Sequence, residues 1–236
     1  LAFGAGGELV PRLRALCGHR EVMVRLPRET EQAEAPGAPL TFGDARKHAP
    51  YNRRERRPLA EVIDELCGTS AEGGTAVASR LRPFTCYAAN LPIEEALPEL
   101  AELLRPAEKR VSSSLGALFG PPVPGTPSLY LGAGGQRTPL HFDPTENLTW
   151  VLEGSKRILL FPPGASSQLR PRGGIVAAAA CWFGGVVPAV YSDCDVWAPR
   201  SSDADAPRPL DLALGAGDLL YIPPGWWHAV AGSQEP

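Results

Sequence analysis

The sequence predicts a mainly β fold with flanking helices, an antiparallel barrel or jelly roll, on three observations. Before Ser128 apolar residues recur at helical spacing in several stretches; from Ser128 onward they fall into short alternating runs; and those runs are bounded by Gly and Pro. With 44% hydrophobic and 21% charged residues, the chain can bury a core that needs no disulfide staples. Its 236 residues lie within the reach of one all-β unit. A single domain over 1–236 is therefore expected, with 1–127 as a helical and mixed flank and 128–236 as the barrel core.

Element by element, Glu8 to Cys17 carries Leu9, Leu13 and Leu16 at helical spacing, and Glu21-Val-Met-Val-Arg-Leu26 alternates as a strand does. Pro, Gly, Ala and charge dominate from Pro27 to Pro58, and the run Arg53-Arg-Glu-Arg-Arg57 reads as a solvated loop in preference to a localisation signal. Pro58 opens an amphipathic helix with Leu59, Val62, Ile63 and Leu66 on one face, stopped by Gly68. A second helix is expected from Ile93 to Leu104. The barrel strands are read at Ser128 to Leu131, Leu148 to Leu152, Arg157 to Phe161, Leu219 to Ile222 and Trp226 to Val230. Between them, residues 164–214 are rich in Pro, Gly, Ser and Asp and are expected to form an inserted covering loop, the kind of segment that often touches substrate.

A formal charge of -3 argues against a sequence-independent polyanion binder, so nucleic acid is disfavoured as a partner. The five cysteines are odd in number and widely spaced, with no CxxC pair, which points to a reducing, intracellular home, cytoplasmic or nuclear. The apolar stretch from Ile175 to Val187 is too short to cross a bilayer and holds two glycines, so no membrane association is expected. No leader opens the chain and its first residue is Leu, which suggests a piece of a longer protein.

Two of the four histidines stand in unusual settings, Thr138-Pro-Leu-His141-Phe-Asp143 and Pro223-Pro-Gly-Trp-Trp-His228. Residues two apart on a strand share a face, so His141 and Asp143 can present an imidazole and a carboxylate to one point inside a barrel. Two imidazoles and one carboxylate with open positions suit non-haem iron(II), and His228 is the candidate third ligand. Alone, a His-x-Asp triplet also arises by chance, and a buried histidine is more often hydrogen-bonded than metal-bound.

The surrounding residues carry a resemblance. Gly135, His141, Asp143, Asn147 and Gly154 resemble the first cupin motif, with Asn147 where many cupins place a glutamate; Gly217, Pro223, Gly225 and His228 match the second. Each Gly or Pro sets a hairpin corner and so decides which strand residues face the lumen. The stretch from Tyr130 to Pro163, joined to Gly217 to His228, is similar to the JmjC family of 2-oxoglutarate oxygenases, and within it to the small JmjC protein hydroxylases.

That resemblance implies a double-stranded β-helix (jelly roll, cupin) barrel. It implies iron(II) held by His141, Asp143 and His228, with 2-oxoglutarate as cosubstrate and molecular oxygen. Lys156, thirteen residues after Asp143, falls where these hydroxylases pair a lysine with the distal carboxylate of 2-oxoglutarate. Thr138 matches a hydroxyl supporting the same carboxylate, and Asn147 a polar residue beside the metal-chelating end. Lys156 has a reading of its own: a dianion in a narrow barrel needs a cation, the alternative being a surface hairpin lysine. Tyr87 is a candidate phenol reaching the cosubstrate, with a core tyrosine as the alternative.

Trp150, Trp226 and Trp227 are expected to pack the barrel wall or mouth, with Pro139, Phe142 and Trp150 forming a dry shell. His19 and His48 read as surface residues and Asp218 as a turn residue. Asp193 and Asp195 read as solvated loop acids, with a substrate contact as the alternative.

The reaction implied is hydroxylation of a protein side chain with release of succinate and carbon dioxide. Lysine demethylation on histones or other proteins comes second. A non-catalytic cupin-fold binding module and a non-oxidative cupin such as an isomerase are readings of another class, and the retention of His141, Asp143, His228 and Lys156 speaks against the former. A protein or peptide is the expected partner, and a homodimer through helices after the barrel is expected for a longer protein. The chain stops eight residues past His228, before the family's last barrel strand, so a barrel truncated at its C-terminus with an exposed edge is expected.

Overall fold

The structure, a computed structural model, describes residues 8–26, 53–67, 86–120, 127–172, 189–197 and 207–232. These fall into two compact units, one running through residue 134 and the other starting at residue 135. His48, Cys181 and the Ile175 to Val187 stretch lie outside the described residues. No helix among the described residues is long and apolar enough to cross a membrane.

The first unit contains α1 (Leu9–Cys17), β1 (Glu21–Leu26), β2 (Arg53–Pro58), α2 (Leu59–Cys67), β3 (Tyr87–Pro92), α3 (Ile93–Ala96), α4 (Pro98–Phe119) and β4 (Ser128–Gly132). Its strands form an antiparallel sheet in the order β2-β1-β3-β4. Alternation along β1 turns Val22 and Val24 inward, while α2 buries Leu59, Val62, Ile63 and Leu66, the face anticipated from spacing.

Three elements here depart from expectation. Arg53–Pro58 is a strand, not a loop: it pairs with β1 along its whole length and carries its charge as an outer strand can, with Arg57 paired to Glu65 at 2.5 Å. The helix expected from Ile93 is two helices, because Pro98 disfavours helical geometry at Leu97, whose φ of -138° breaks the run. The second of them continues to Phe119, past Pro106. Third, Ser128–Gly132, read as a barrel strand, pairs with β3 in the first unit's sheet.

The second unit contains β5 (Arg137–Phe142), β6 (Asn147–Trp150), β7 (Ser155–Phe161), β8 (Val190–Tyr191), β9 (Leu210–Gly215), β10 (Leu219–Ile222) and β11 (Trp227–Gly232). Among the described residues these make a five-stranded sheet, β8-β5-β11-β7-β9, and a two-stranded sheet, β10-β6, antiparallel throughout. This is the expected mainly β, jelly-roll architecture. Each face of the larger sheet has its own apolar cluster. Ile158 and Leu160 pack with Ile222, Leu220, Leu212, Leu214, Trp226 and Val230, and because Leu220 and Ile222 come from the smaller sheet, this is the lumen. On the opposite face Leu140, Phe142, Leu159, Phe161 and Trp227 pack with Ala165, Leu169 and Val190.

The segment expected as a covering loop over 164–214 contributes two strands. β8 adds to the edge beside β5, and β9 pairs with β7 from Leu210 onward. Leu210, Leu212 and Leu214 alternate as strand residues do, but the run opens inside a Pro- and Asp-rich stretch that masks it.

Candidate metal centre

The site is built on one register row that crosses three strands: His228 of β11 pairs with His141 of β5, which pairs in turn with Tyr191 of β8. Alternation along β11 sends Trp227 and Ala229 to the outer cluster and His228 to the lumen. Leu140 and Phe142 face outward, so His141 also faces in. Strict alternation would then turn Thr138 outward. It does not, because the register shifts between His228 and Val230: Val230 pairs with Thr138, so β5 spends one extra residue there. This bulge at Pro139 and Leu140 brings Thr138 onto the same face as Val230, the lumen, three residues before His141.

Both imidazoles are oriented by backbone. His141 Nδ1 lies 2.8 Å from the Pro139 carbonyl and His228 Nδ1 lies 3.1 Å from the Trp226 carbonyl. Each Nδ1–H can donate to that carbonyl, which leaves Nε2 with its lone pair for a metal. Asp143 is fixed from two sides: Gly225 N–H donates to its carbonyl at 2.9 Å, and Asn147 Nδ2 donates to its Oδ2 at 2.9 Å. Gly225 has φ +75°, a left-handed conformation that favours glycine, and the turn it makes sets His228 opposite Asp143.

Ligand atoms of His141, Asp143 and His228 all lie within 4.8 Å of one another, a grouping that matches the predicted triad residue for residue. The two imidazole rings are 4.1 Å apart, and His228 Nε2 is 3.6 Å from Asp143 Oδ2. Burial, and then the neighbouring His141, push the His228 pKa down to about 4 against the opposing pull of Asp143. At neutral pH His228 is therefore an unprotonated imidazole, the form that binds metal. Two neutral imidazoles and one carboxylate converging on a point fit an iron(II) centre with open positions.

Lys156 of β7 shares the face of Ile158 and Leu160, and Leu160 pairs with His228. It is thus on the lumen side, about 13 Å along the strand from the histidine row. Its ammonium pKa is lowered by burial. Thr138 sits between the histidine row and Lys156 in register, since its partner Val230 pairs with Ile158. Tyr87 is buried in the first unit's sheet, opposite Gly132 and 6.4 Å ring to ring from Tyr130. Its phenol pKa is raised by burial.

Other candidates resolve by alternation. Phe142 points away from the lumen and meets Trp227 edge-on at 4.7 Å, so it supports the sheet from behind instead of drying the site. Trp150 pairs with Leu219 on the face that also carries exposed Leu148 and Tyr221, which likewise removes it from the expected dry shell. Trp226 packs into the lumen cluster, and Trp227, fully buried, donates from Nε1 to Ser166 Oγ at 2.9 Å. Asp193 pairs with Arg172 at 2.7 Å and Asp195 accepts the Trp197 N–H at 3.0 Å, so both organise their own loop. Asp218 accepts the Gly215 N–H at 2.8 Å, the turn role expected, and His19 is exposed. Tyr191, stacked 5.2 Å from His141 with 21° between the planes, escaped notice because a two-residue strand leaves no periodic signal.

Comparison with known proteins agrees with this geometry. A family model described as a cupin-like domain matches residues 9–236. The chain is 28% identical over 246 aligned positions to the "Bifunctional peptidase and (3S)-lysyl hydroxylase JMJD7" of Homo sapiens, covering 95% of this chain and 68% of that protein. It is 26% identical to the "Lysine-specific demethylase JMJ31" of Arabidopsis thaliana, covering 87% of this chain and 38% of the relative. Over 43% of the chain it is 32% identical to the human "2-oxoglutarate and iron-dependent oxygenase JMJD4", of which it covers 23%. The chain spans between 20% and 38% of the length of seven of the curated relatives it matches.

Proposed function

The chain belongs to the cupin-like, JmjC-type family that includes iron- and 2-oxoglutarate-dependent oxygenases, and from that membership we propose that it is such a dioxygenase, hydroxylating a side chain of a protein or peptide with release of succinate and carbon dioxide. The observation that carries the reading is the convergence of His141, Asp143 and His228 inside one lumen, each held by a hydrogen bond that leaves it free to ligate. Iron(II) bound there supplies the oxidising chemistry that couples oxygen reduction and 2-oxoglutarate decarboxylation to substrate hydroxylation.

The chain's own residues bind and orient. Backbone carbonyls of Pro139 and Trp226 hold the imidazole tautomers, and Asn147 holds the Asp143 carboxylate. Lys156 provides the positive charge for the far carboxylate of the cosubstrate, with Thr138 offering a hydroxyl beside it. Ile158, Leu160, Ile222 and Trp226 keep the lumen wall apolar, which limits water around the site.

Side-chain hydroxylation is favoured by the named hydroxylase relative that matches 95% of the chain. Lysine demethylation is the second reading, favoured by the named Arabidopsis demethylase that matches 87% of it. Intracellular residence, cytoplasmic or nuclear, belongs to the same proposal and is supported by Cys17, Cys67, Cys86 and Cys194, which form no disulfide among the described residues. A homodimer is proposed as well; the outward face with Leu148, Leu219 and Tyr221 exposed supports a contact surface. The deciding experiment incubates the protein with iron(II), 2-oxoglutarate and a peptide library. A peptide gaining one oxygen supports hydroxylation, loss of a methylene with formaldehyde supports demethylation, and no succinate with any peptide, despite bound metal, counts against both.

A further inference from the structure

We propose that Tyr191, contributed by the inserted segment, is a positioning residue for the metal ligand His141, its ring fixing the plane of the imidazole; the inference rests on the oxygenase reading of this site. His228 lies on β11, which has β5 on one side and β7 on the other. His141 lies on β5, whose outer neighbour among the described residues is the two-residue β8. A hydrogen bond from Nδ1 to the Pro139 carbonyl at 2.8 Å and the His228 ring at 4.1 Å restrain the His141 ring from two sides. The Tyr191 ring, 5.2 Å away and tilted by 21°, lies nearly parallel to the imidazole and limits its rotation about the Cβ–Cγ bond from a third.

Two paired residues are too few to hold a strand in place by themselves, yet the backbone around Tyr191 is clamped on both sides. Arg172 N–H donates to the Tyr191 carbonyl at 2.8 Å, and Ser192 N–H donates to the Leu140 carbonyl at 2.9 Å. The buried Ser192 hydroxyl donates to the Leu169 carbonyl and accepts the Cys194 N–H at 2.9 Å. Arg172 is further tied to Asp193 at 2.7 Å. These contacts converge on the segment that carries one ring to one ligand. The inserted segment thereby takes part in the metal site through a neighbour of a ligand instead of a ligand.

The test compares parent, Tyr191→Phe and Tyr191→Leu, with Tyr191→Val as a second ring-less variant that suits a strand should the leucine variant melt early. Iron(II) binding is titrated anaerobically through the visible charge-transfer band with 2-oxoglutarate, iron loss to a chelator is timed without 2-oxoglutarate, and metal-free melting is recorded. Loss of a residue supporting a ligand costs about 10- to 100-fold in metal affinity, so the ring-less variants are expected to bind at least about tenfold more weakly and release iron faster, with Phe restoring parent behaviour and metal-free melting unchanged. A ring-less variant equal to the parent overturns the inference, and so does a Phe variant as impaired as Leu, since the hydroxyl would then be the agent. Absence of any band in the parent defeats the oxygenase reading itself, whereas a normal parent band with an unaffected ring-less variant defeats the role of Tyr191 alone.

Discussion

His228 governs how the metal-free protein responds to acid. Its pKa is held at about 4, below the ordinary 6.5, chiefly by burial. At pH above 6.5 the ring is neutral folded and unfolded, and the full stability is present; as pH falls from there toward 4, the unfolded chain takes up a proton that the folded chain refuses, and stability drops. The loss over that window is on the order of 3 kcal/mol. Urea unfolding on either side of it should show this slope, and His228→Asn should flatten it; an unchanged slope would assign the effect to another group. Replacing Lys156 by Met removes the ammonium from the lumen face. The same change should weaken 2-oxoglutarate binding by about 2 kcal/mol, roughly thirtyfold, since a charged hydrogen-bond partner is gone. Equal 2-oxoglutarate affinity in parent and variant would move the distal carboxylate elsewhere. His141, Asp143 and His228 were legible as a candidate triad because two imidazoles and a carboxylate suit iron(II), whereas Lys156 was singled out through the resemblance to the JmjC hydroxylases. The atoms that orient the imidazoles were not legible, since the Pro139 and Trp226 carbonyls are backbone and any residue identity would supply them.

Among the elements, β11 with His228 was legible as a strand, whereas β5 with His141 was not among the alternating runs and entered only through the His-x-Asp pair. Gly217, Pro223 and Gly225 mark the corners around β10 and β11, and alternation between those corners assigns each side chain to a face. Alternation failed where the backbone departs from it: the β5 bulge, which turns Thr138 to the lumen, shows in pairing register and not in residue pattern. The outer strand β2 was hidden by its own charge, and β9 by the Pro-rich stretch before it. The link from the short 3-10 turn Pro163–Ala165 and its neighbour Ser166 to β11 was equally invisible, because it joins residues 61 positions apart. Ser166→Ala would strand the Trp227 indole N–H in a fully buried setting and should cost about 1–3 kcal/mol. Trp227 neighbours His228, so iron affinity should fall with stability. Thermal melting and metal titration of the same preparation check both, and a variant as stable as the parent would mean that the indole finds another acceptor.

At the scale of the molecule, the family match runs through both compact units, while the ligand triad and Lys156 lie within the second. A metal ion and a cosubstrate that bind only the folded barrel must stabilise it by mass action, about 2.7 kcal/mol for each at a free concentration about 100 times its Kd. Their contributions are separable because they use different residues. Iron(II) alone should slow hydrogen exchange in β5 and β11, whose register row holds both histidines. Adding 2-oxoglutarate should extend protection along β7 toward Lys156, which pairs with Gly232 at the far end of β11. In Lys156→Ala the iron increment should remain and the cosubstrate increment shrink. In His141→Ala both should vanish, because a cosubstrate that chelates through the metal has nothing to chelate. If 2-oxoglutarate protected β7 as strongly in His141→Ala as in the parent, the lysine would be binding the anion without help from the metal, and the lumen would be an anion site before it is an oxygenase.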